Sequence, residues 1–228
     1  MLFLLQCSKH IRKRRFQGAI GMGRQSVLAV GAHPDDIELG CGGALAKHVA
    51  AGDHVTMLVV TRGEEGPGDP DIRIREQLRA IEVLGVHQLL WGQGFGDCRV
   101  SLQEFELVHL IEDAIDKAAA TIVYTHTAND SHQDHRVVSR CTLGAARWVS
   151  SIMTYGGPSA IGFNPTAYLD ISDCLDKKVE ALMCHGSQVE ASEKVSASWV
   201  RSSAEHYGFL CRRPFAEGFE PARLVVDF

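Results

Sequence analysis

Ser26-Val27-Leu28-Ala29-Val30-Gly31-Ala32-His33-Pro34-Asp35-Asp36 decides how this chain is read. The first six residues are short, rich in β-formers and closed by glycine, the pattern of a strand buried in a parallel sheet. An imidazole and two adjacent carboxylates come directly after it. In an open α/β sheet, ligands bind in the crevice beyond the carboxyl ends of the strands. Polar side chains at that place are badly sited for packing and well sited for chemistry. A second polar run, Asn129-Asp130-Ser131-His132-Gln133-Asp134-His135, follows another apolar segment, Ala120-Thr121-Ile122-Val123-Tyr124. Two His/Asp clusters, each at a predicted strand end, predict a metal site assembled from two loops.

Outward from these clusters the pattern alternates. Residues 42–50 read as a helix, 53–61 as a strand, and the turn-rich stretch Gly66-Pro67-Gly68-Asp69-Pro70 as a loop. A helix over 71–84, stopped by Gly85, leads to a strand over 87–91 and a Gly-rich loop over 92–97. An amphipathic helix over 102–119 precedes a strand over 121–125, and a helix over 136–148 follows the second cluster. A strand over 167–171 and a helix over 174–184 complete the series. This order predicts an α/β fold, a mostly parallel sheet with helices on both faces. Residues 22–228 form one domain in this reading, and residues 1–21 a flexible tail.

Of the 228 residues, 45% are apolar and 22% charged, as in soluble enzymes, and the formal net charge of -5 disfavours nucleic acid and anionic membranes. Met1-Leu2-Phe3-Leu4-Leu5 is far shorter than the about 20 residues of a membrane span. The basic residues from Lys9 to Arg15 come after that apolar stretch, the reverse of a signal peptide. A cytoplasmic protein with no stable membrane insertion is expected. The seven cysteines contain no C-x-x-C pair and read as reduced thiols. Cys41 reads as a packed small residue.

Zinc takes nitrogen, sulfur and carboxylate ligands, and a catalytic site leaves one position for water. His33 and Asp36, three apart in a turn, converge on one ion, and His135 completes the set from the second loop. Ferrous iron shares these ligand preferences. Asp35 is then free to act as general base on the activated water. His132, protonated and paired with Asp134, faces the developing oxyanion. The alternative is that His132 and Asp134 only orient His135.

Together these stretches resemble the PIG-L/LmbE-like family of zinc-dependent N-deacetylases. The matching residues are Ala32-His33-Pro34-Asp35-Asp36 with Glu38, Gly40-Cys41-Gly42-Gly43, Thr61-Arg62-Gly63-Glu64 and Arg73 with Glu76. Asn129-Asp130, His132, Asp134-His135, Asp170-Ile171-Ser172, His185-Gly186-Ser187-Gln188 and Phe215-Ala216-Glu217-Gly218-Phe219 continue the match. The resemblance implies a Rossmann-like three-layer fold with zinc on His33, Asp36 and His135, Asp35 as base and His132 stabilising charge. It also implies substrate contacts from Arg73, Asp97 and His185. For Arg73 the alternative is an ion pair with Glu76, its i+3 neighbour; for His185 it is a helix cap. Gly96-Asp97-Cys98 departs from the family's Asp-Gly turn, which shifts or removes the contact from Asp97.

The implied activity is metal-dependent removal of acetyl from the amide nitrogen of an N-acetylated amino sugar or sugar conjugate. Its partner is that small molecule, and homo-oligomerisation stays open. A non-catalytic metal- or sugar-binding protein on the same scaffold is the rival reading, and retention of Asp35 speaks against it. A nucleotide-binding protein is disfavoured because Gly40-Cys41-Gly42-Gly43 fits neither G-x-G-x-x-G nor the P-loop, and the acids before it repel phosphate.

Overall fold

The computed structural model describes residues 23–193 and 195–225. The predicted tail over residues 1–21 lies outside the described residues. The elements run β1 (Ser26–Gly31), α1 (Asp36–Ala50), β2 (His54–Val59), α2 (Pro70–Leu84), β3 (Gln88–Trp91), α3 (Glu104–Ala118), β4 (Ile122–His126) and α4 (Gln133–Ala145). Then come β5 (Ser151–Tyr155), β6 (Ala167–Asp170), α5 (Leu175–Met183), α6 (Gly186–Ala191), α7 (Ala197–Cys211) and β7 (Ala216–Arg223). A 3-10 turn, Val100–Gln103, leads into α3.

The strands form one seven-stranded sheet in the order β3-β2-β1-β4-β5-β7-β6. The first five are parallel; β7 is antiparallel to both β5 and β6. The chain leaves β1 towards β2 on one side and reaches β4 on the other, so a topological switch point opens between β1 and β4. Both polar clusters sit there.

Burial on both faces explains the unbroken apolar run of β1. Leu28 and Val30 pack into a core with α3 and α4, whereas Val27 and Ala29 face a second core containing α1, α2 and β2 residues. Each such side chain contributes roughly 1.5–3 kcal/mol on full burial. A third cluster joins Leu39 and Ile171 to α5 and α7. Among the described residues, no helix is long and apolar enough to cross a membrane.

Local chemistry sets the helix ends. Asp69 caps α2 by accepting from the Asp71 N–H at 2.8 Å, and Gly85 closes it in the left-handed region at φ 77°. The helix predicted to begin at Gly42 instead begins at Asp36. It is bent at Cys41 (φ -143°, ψ 19°), where the backbone leaves helical geometry. The freed N–H groups beyond the bend are satisfied from β7: Gly43 and Ala44 donate to the Glu217 carboxylate at 2.8 and 2.7 Å. Lys178 on α5 neutralises that carboxylate at 2.5 Å and donates to Leu39 O at 2.8 Å. All of this is buried.

Candidate active site

The first loop folds back on itself. The Asp36 carboxylate accepts from the His33 backbone N–H at 2.7 Å, which fixes the turn that brings both side chains to one side. Asp35, between them, lies in the left-handed region at φ 95° and makes no capping bond to α1. On the second loop, Asp130 accepts from the His132 N–H through Oδ1 at 2.8 Å, and its Oδ2 is 3.1 Å from His135 Nδ1. Arg136 pins the same loop by donating to the carbonyls of Asp130 and Ser131, each at 2.7 Å.

The switch point brings these loops into contact. His135 Nε2 lies 3.2 Å from Asp36 Oδ1, and His33 Nδ1 lies 3.3 Å from Asp36 Oδ2. Donor atoms of His33, His132 and His135 lie within 4.8 Å of one another, as do those of Asp36, His126 and His135. A third such group is His33, Asp97 and Asp134.

The donors suit a divalent cation. With Nδ1–H given to Asp130, the His135 Nε2 carries a lone pair, is buried and has no hydrogen-bond donor. It faces a carboxylate oxygen that likewise only accepts. A proton or a metal ion between them resolves the repulsion, and carboxylate-to-histidine-to-metal is a recurring arrangement.

Electrostatics follow the same pattern. Burial opposes the charged form of His135, but Asp36 and Asp130 outweigh it and push it up to about 9. Burial would raise Asp36; His135 and His126 overcome that and hold it well below the usual carboxylate range. Asp35 is pushed up to about 7 by burial and by the charge of Asp36, with His185 and Arg73 opposing. Burial disfavours a charged His33, yet Asp134, Asp36 and Asp97 raise it.

Two residues stand in the site without a role from the sequence. His126, the last residue of β4, is buried, accepts from the Ala32 N–H at 3.1 Å, and is pushed down to about 4 by burial and His135. The strand-end reasoning used for His33 would have found it one residue past the predicted strand. Asp130 stands in plain view in the second polar run, but its hold on His135 is a matter of loop geometry.

The expected His132–Asp134 side-chain pair takes another form. His132 Nδ1 accepts from the Asp134 backbone N–H at 3.3 Å, at the N-terminus of α4. That contact leaves Nδ1 as acceptor and Nε2 as the protonated nitrogen of a neutral ring. Burial, then His33 and His135, lower its proton affinity further. The Asp134 carboxylate accepts from the Cys98 N–H at 2.7 Å and lies 3.3 Å from His33 Nε2.

Of the three expected substrate contacts, Asp97 comes to the site: Oδ1 is 3.0 Å from His33 Nε2 and Oδ2 accepts from the Glu65 N–H at 3.1 Å. Arg73 is buried and bonded to backbone carbonyls of Gly63 and Pro34. The alternative partner, Glu76, accepts from the Ser187 N–H and hydroxyl instead, at 2.8 and 2.6 Å. His185 has no exposed surface. It occupies the N-terminal position of α6 without capping it, and its Nε2 is 3.6 Å from the buried Glu38.

Fold and site together define an α/β protein with a candidate divalent-metal centre of histidine and aspartate at the switch point of its sheet. Residues 28–146 match the PIG-L family model, described as GlcNAc-PI de-N-acetylase. The uncharacterized deacetylase YaiS of Escherichia coli K12 is 34% identical over 171 residues, covering 72% of this chain and 92% of that protein. The chain belongs to the PIG-L family. It is also similar to diacetylchitobiose deacetylase of Thermococcus kodakarensis, 28% identical over 85% of this chain and 82% of that one. Among solved structures, the conserved protein TT1542 of Thermus thermophilus is similar with TM-score 0.79 and 26% identity, covering 90% of this chain and 97% of that one.

Proposed function

We propose that this protein is a metal-dependent N-deacetylase, which hydrolyses the acetamide of a small N-acetylated amino sugar or sugar conjugate in the cytoplasm. The observation that carries this reading is the pairing of a cation slot, His135 Nε2 against Asp36 Oδ1 at 3.2 Å, with the adjacent Asp35 raised to about 7. Membership in a family with deacetylase relatives supports the substrate class.

His33, Asp36 and His135 would hold the ion, zinc or ferrous iron. The bound ion would supply Lewis-acid polarisation and a more acidic water. Asp35 accepts the proton of the attacking water; a base that titrates near neutrality both takes and returns it. It then delivers that proton to the departing amine nitrogen. His132 donates Nε2–H to the oxyanion as a neutral imidazole, because its Nδ1 is committed to the Asp134 N–H. His126 and Asp130 orient what surrounds the ion.

The test is acetate release by zinc- and iron-reconstituted protein from a panel of N-acetylglucosamine conjugates that includes N,N'-diacetylchitobiose. Turnover by wild type, with Asp35→Asn retaining metal but losing most of the rate, is the expected result. Metal and sugar binding without acetate release would replace this reading with that of a binding protein.

A further inference from the structure

Gly40-Cys41-Gly42-Gly43 and Phe215-Ala216-Glu217-Gly218-Phe219 are far apart in the chain and take no part in the chemistry proposed above. They meet at the bend in α1, together with Lys178 of α5. We infer that Glu217 and Lys178 are positioning residues for Asp36: their ion pair is inserted into the hydrogen-bond ladder of α1 and directs its first turn towards the histidines. The inference rests on Asp36 being a metal ligand in the reading above.

In an unbroken helix each N–H donates to the carbonyl four residues earlier. Gly43 N–H would then serve Leu39 O, and Ala44 N–H would serve Gly40 O. Here Gly43 and Ala44 donate to the two oxygens of Glu217, at 2.8 and 2.7 Å. Lys178 Nζ donates to Leu39 O at 2.8 Å and to Glu217 Oε1 at 2.5 Å. The carboxylate takes up two donors of the ladder, and the ammonium supplies a donor to one of its acceptors. Side chains inserted in this way bend a helix. Cys41, at φ -143° and ψ 19°, is where α1 opens. Glycine at position 43 admits the carboxylate: a Cβ there would lie 3.0 Å from Glu217 Oε1 and 2.8 Å from the Ile171 side chain.

Two demands meet on this helix. Beyond the bend, Ala44 and Leu45 pack into the core with β1 and β2 residues. Before it, Asp36 presents its carboxylate to histidines on three separate segments. Oδ1 lies 3.2 Å from His135 Nε2, and Oδ2 lies 3.3 Å from both His33 Nδ1 and His126 Nε2. A short aspartate side chain has little reach to correct a misdirected backbone, and functional constellations tolerate errors of only about 0.5 Å. The bend lets the first turn answer to the histidines while the rest of the helix answers to the sheet.

The test is the double variant Lys178→Met/Glu217→Leu, because replacing both members of a buried pair by apolar side chains leaves no unpaired charge. Its crystal structure, Tm and zinc dissociation constant are compared with those of wild type, at a temperature where the variant is folded. The expected structure has Cys41 at helical φ, about -63°, and the expected zinc affinity is weaker by about tenfold or more. Retention of Cys41 near φ -143° would overturn the inference, because the pair would then not make the bend. A straightened α1 with a smaller loss of zinc affinity would overturn it too, since a merely structural role lowers Tm and leaves the dissociation constant alone. If the double variant does not fold, Glu217→Gln carries the same readouts with the same expectations, because its NH2 group confronts one of the two ladder N–H groups and releases it. Wild type that binds no zinc would sink the metal reading itself. Zinc held by wild type with its affinity unchanged in the variants would overturn the inference and leave that reading standing.

Discussion

Replacing Asp130 with asparagine preserves the shape of the second loop but not its donors and acceptors. Asp130 accepts from the His132 N–H at 2.8 Å and from His135 Nδ1 at 3.1 Å. Asparagine offers one carbonyl oxygen and one NH2 group. The His132 N–H is backbone and cannot turn away, so the oxygen stays there and the NH2 faces His135. Two donors then oppose each other, and His135 relieves the clash by moving its proton from Nδ1 to Nε2. That is the nitrogen facing Asp36, so the lone pair needed by a metal is lost. Carboxylates behind metal-bound histidines typically contribute 10–100-fold to affinity, about 1.4–2.7 kcal/mol. Zinc competition against a chromophoric chelator at fixed pH measures the change directly. A dissociation constant within about twofold of wild type would refute the assignment of Asp130 as the residue that sets the His135 tautomer.

Lys178→Met strands the buried Glu217 carboxylate, and breaking such a pair costs about 3–5 kcal/mol, a fall of roughly 6–20 °C in Tm for a domain of this size. Calorimetry finding less than about 1 kcal/mol would mean that the pair is not what holds the bend. Gly40→Ala brings a Cβ to 2.1 Å from the Tyr155 ring, which is tied by its hydroxyl to Val30 O at 2.9 Å. Overpacking of about 1–3 kcal/mol should appear as a lower urea midpoint with unchanged m-value, and wild-type stability would contradict the packing described. Metal-free protein should lose stability between about pH 6.5 and pH 9. His135 is raised on folding, so its contribution is complete below its unfolded value and disappears as pH rises through about 9. Tm recorded across that range after chelation should fall, and a flat or rising profile would exclude a proton held between His135 and Asp36.

Much of the fold was legible because β1, β2 and β4 are buried on both faces and so carry mostly apolar runs. The same logic put His33, Asp36 and His135 at converging strand ends. β5 is hard to read because Ser151-Ile152-Met153-Thr154-Tyr155 mixes polar and apolar residues without a clear period. β7 contains Gly218 and Pro221, residues that argue against a strand interior when read alone. Its Pro221 is tolerated beside a register shift in the β5 pairing. α7 has few buried residues and a weak apolar stripe, so its period does not stand out. The structure brings the two polar clusters read from the sequence to one place. Asp130 meets the site through His135, His126 lies one residue past the predicted strand, and His185 and Arg73 are buried behind the loops; spacing in the sequence does not encode such contacts.

The bend at Cys41 gives the Asp36 turn an unusual dependence on the order of synthesis. The turn and the N–H groups beyond its bend emerge early, but the Glu217 carboxylate that caps them lies 174 positions after Gly43 in the chain. During translation the segment that carries the candidate metal ligands is therefore left without its cap until β7 follows. A chain ending before Glu217 has the motif without the carboxylate that caps Gly43 and Ala44, so the first helix and the last strand close the bend together.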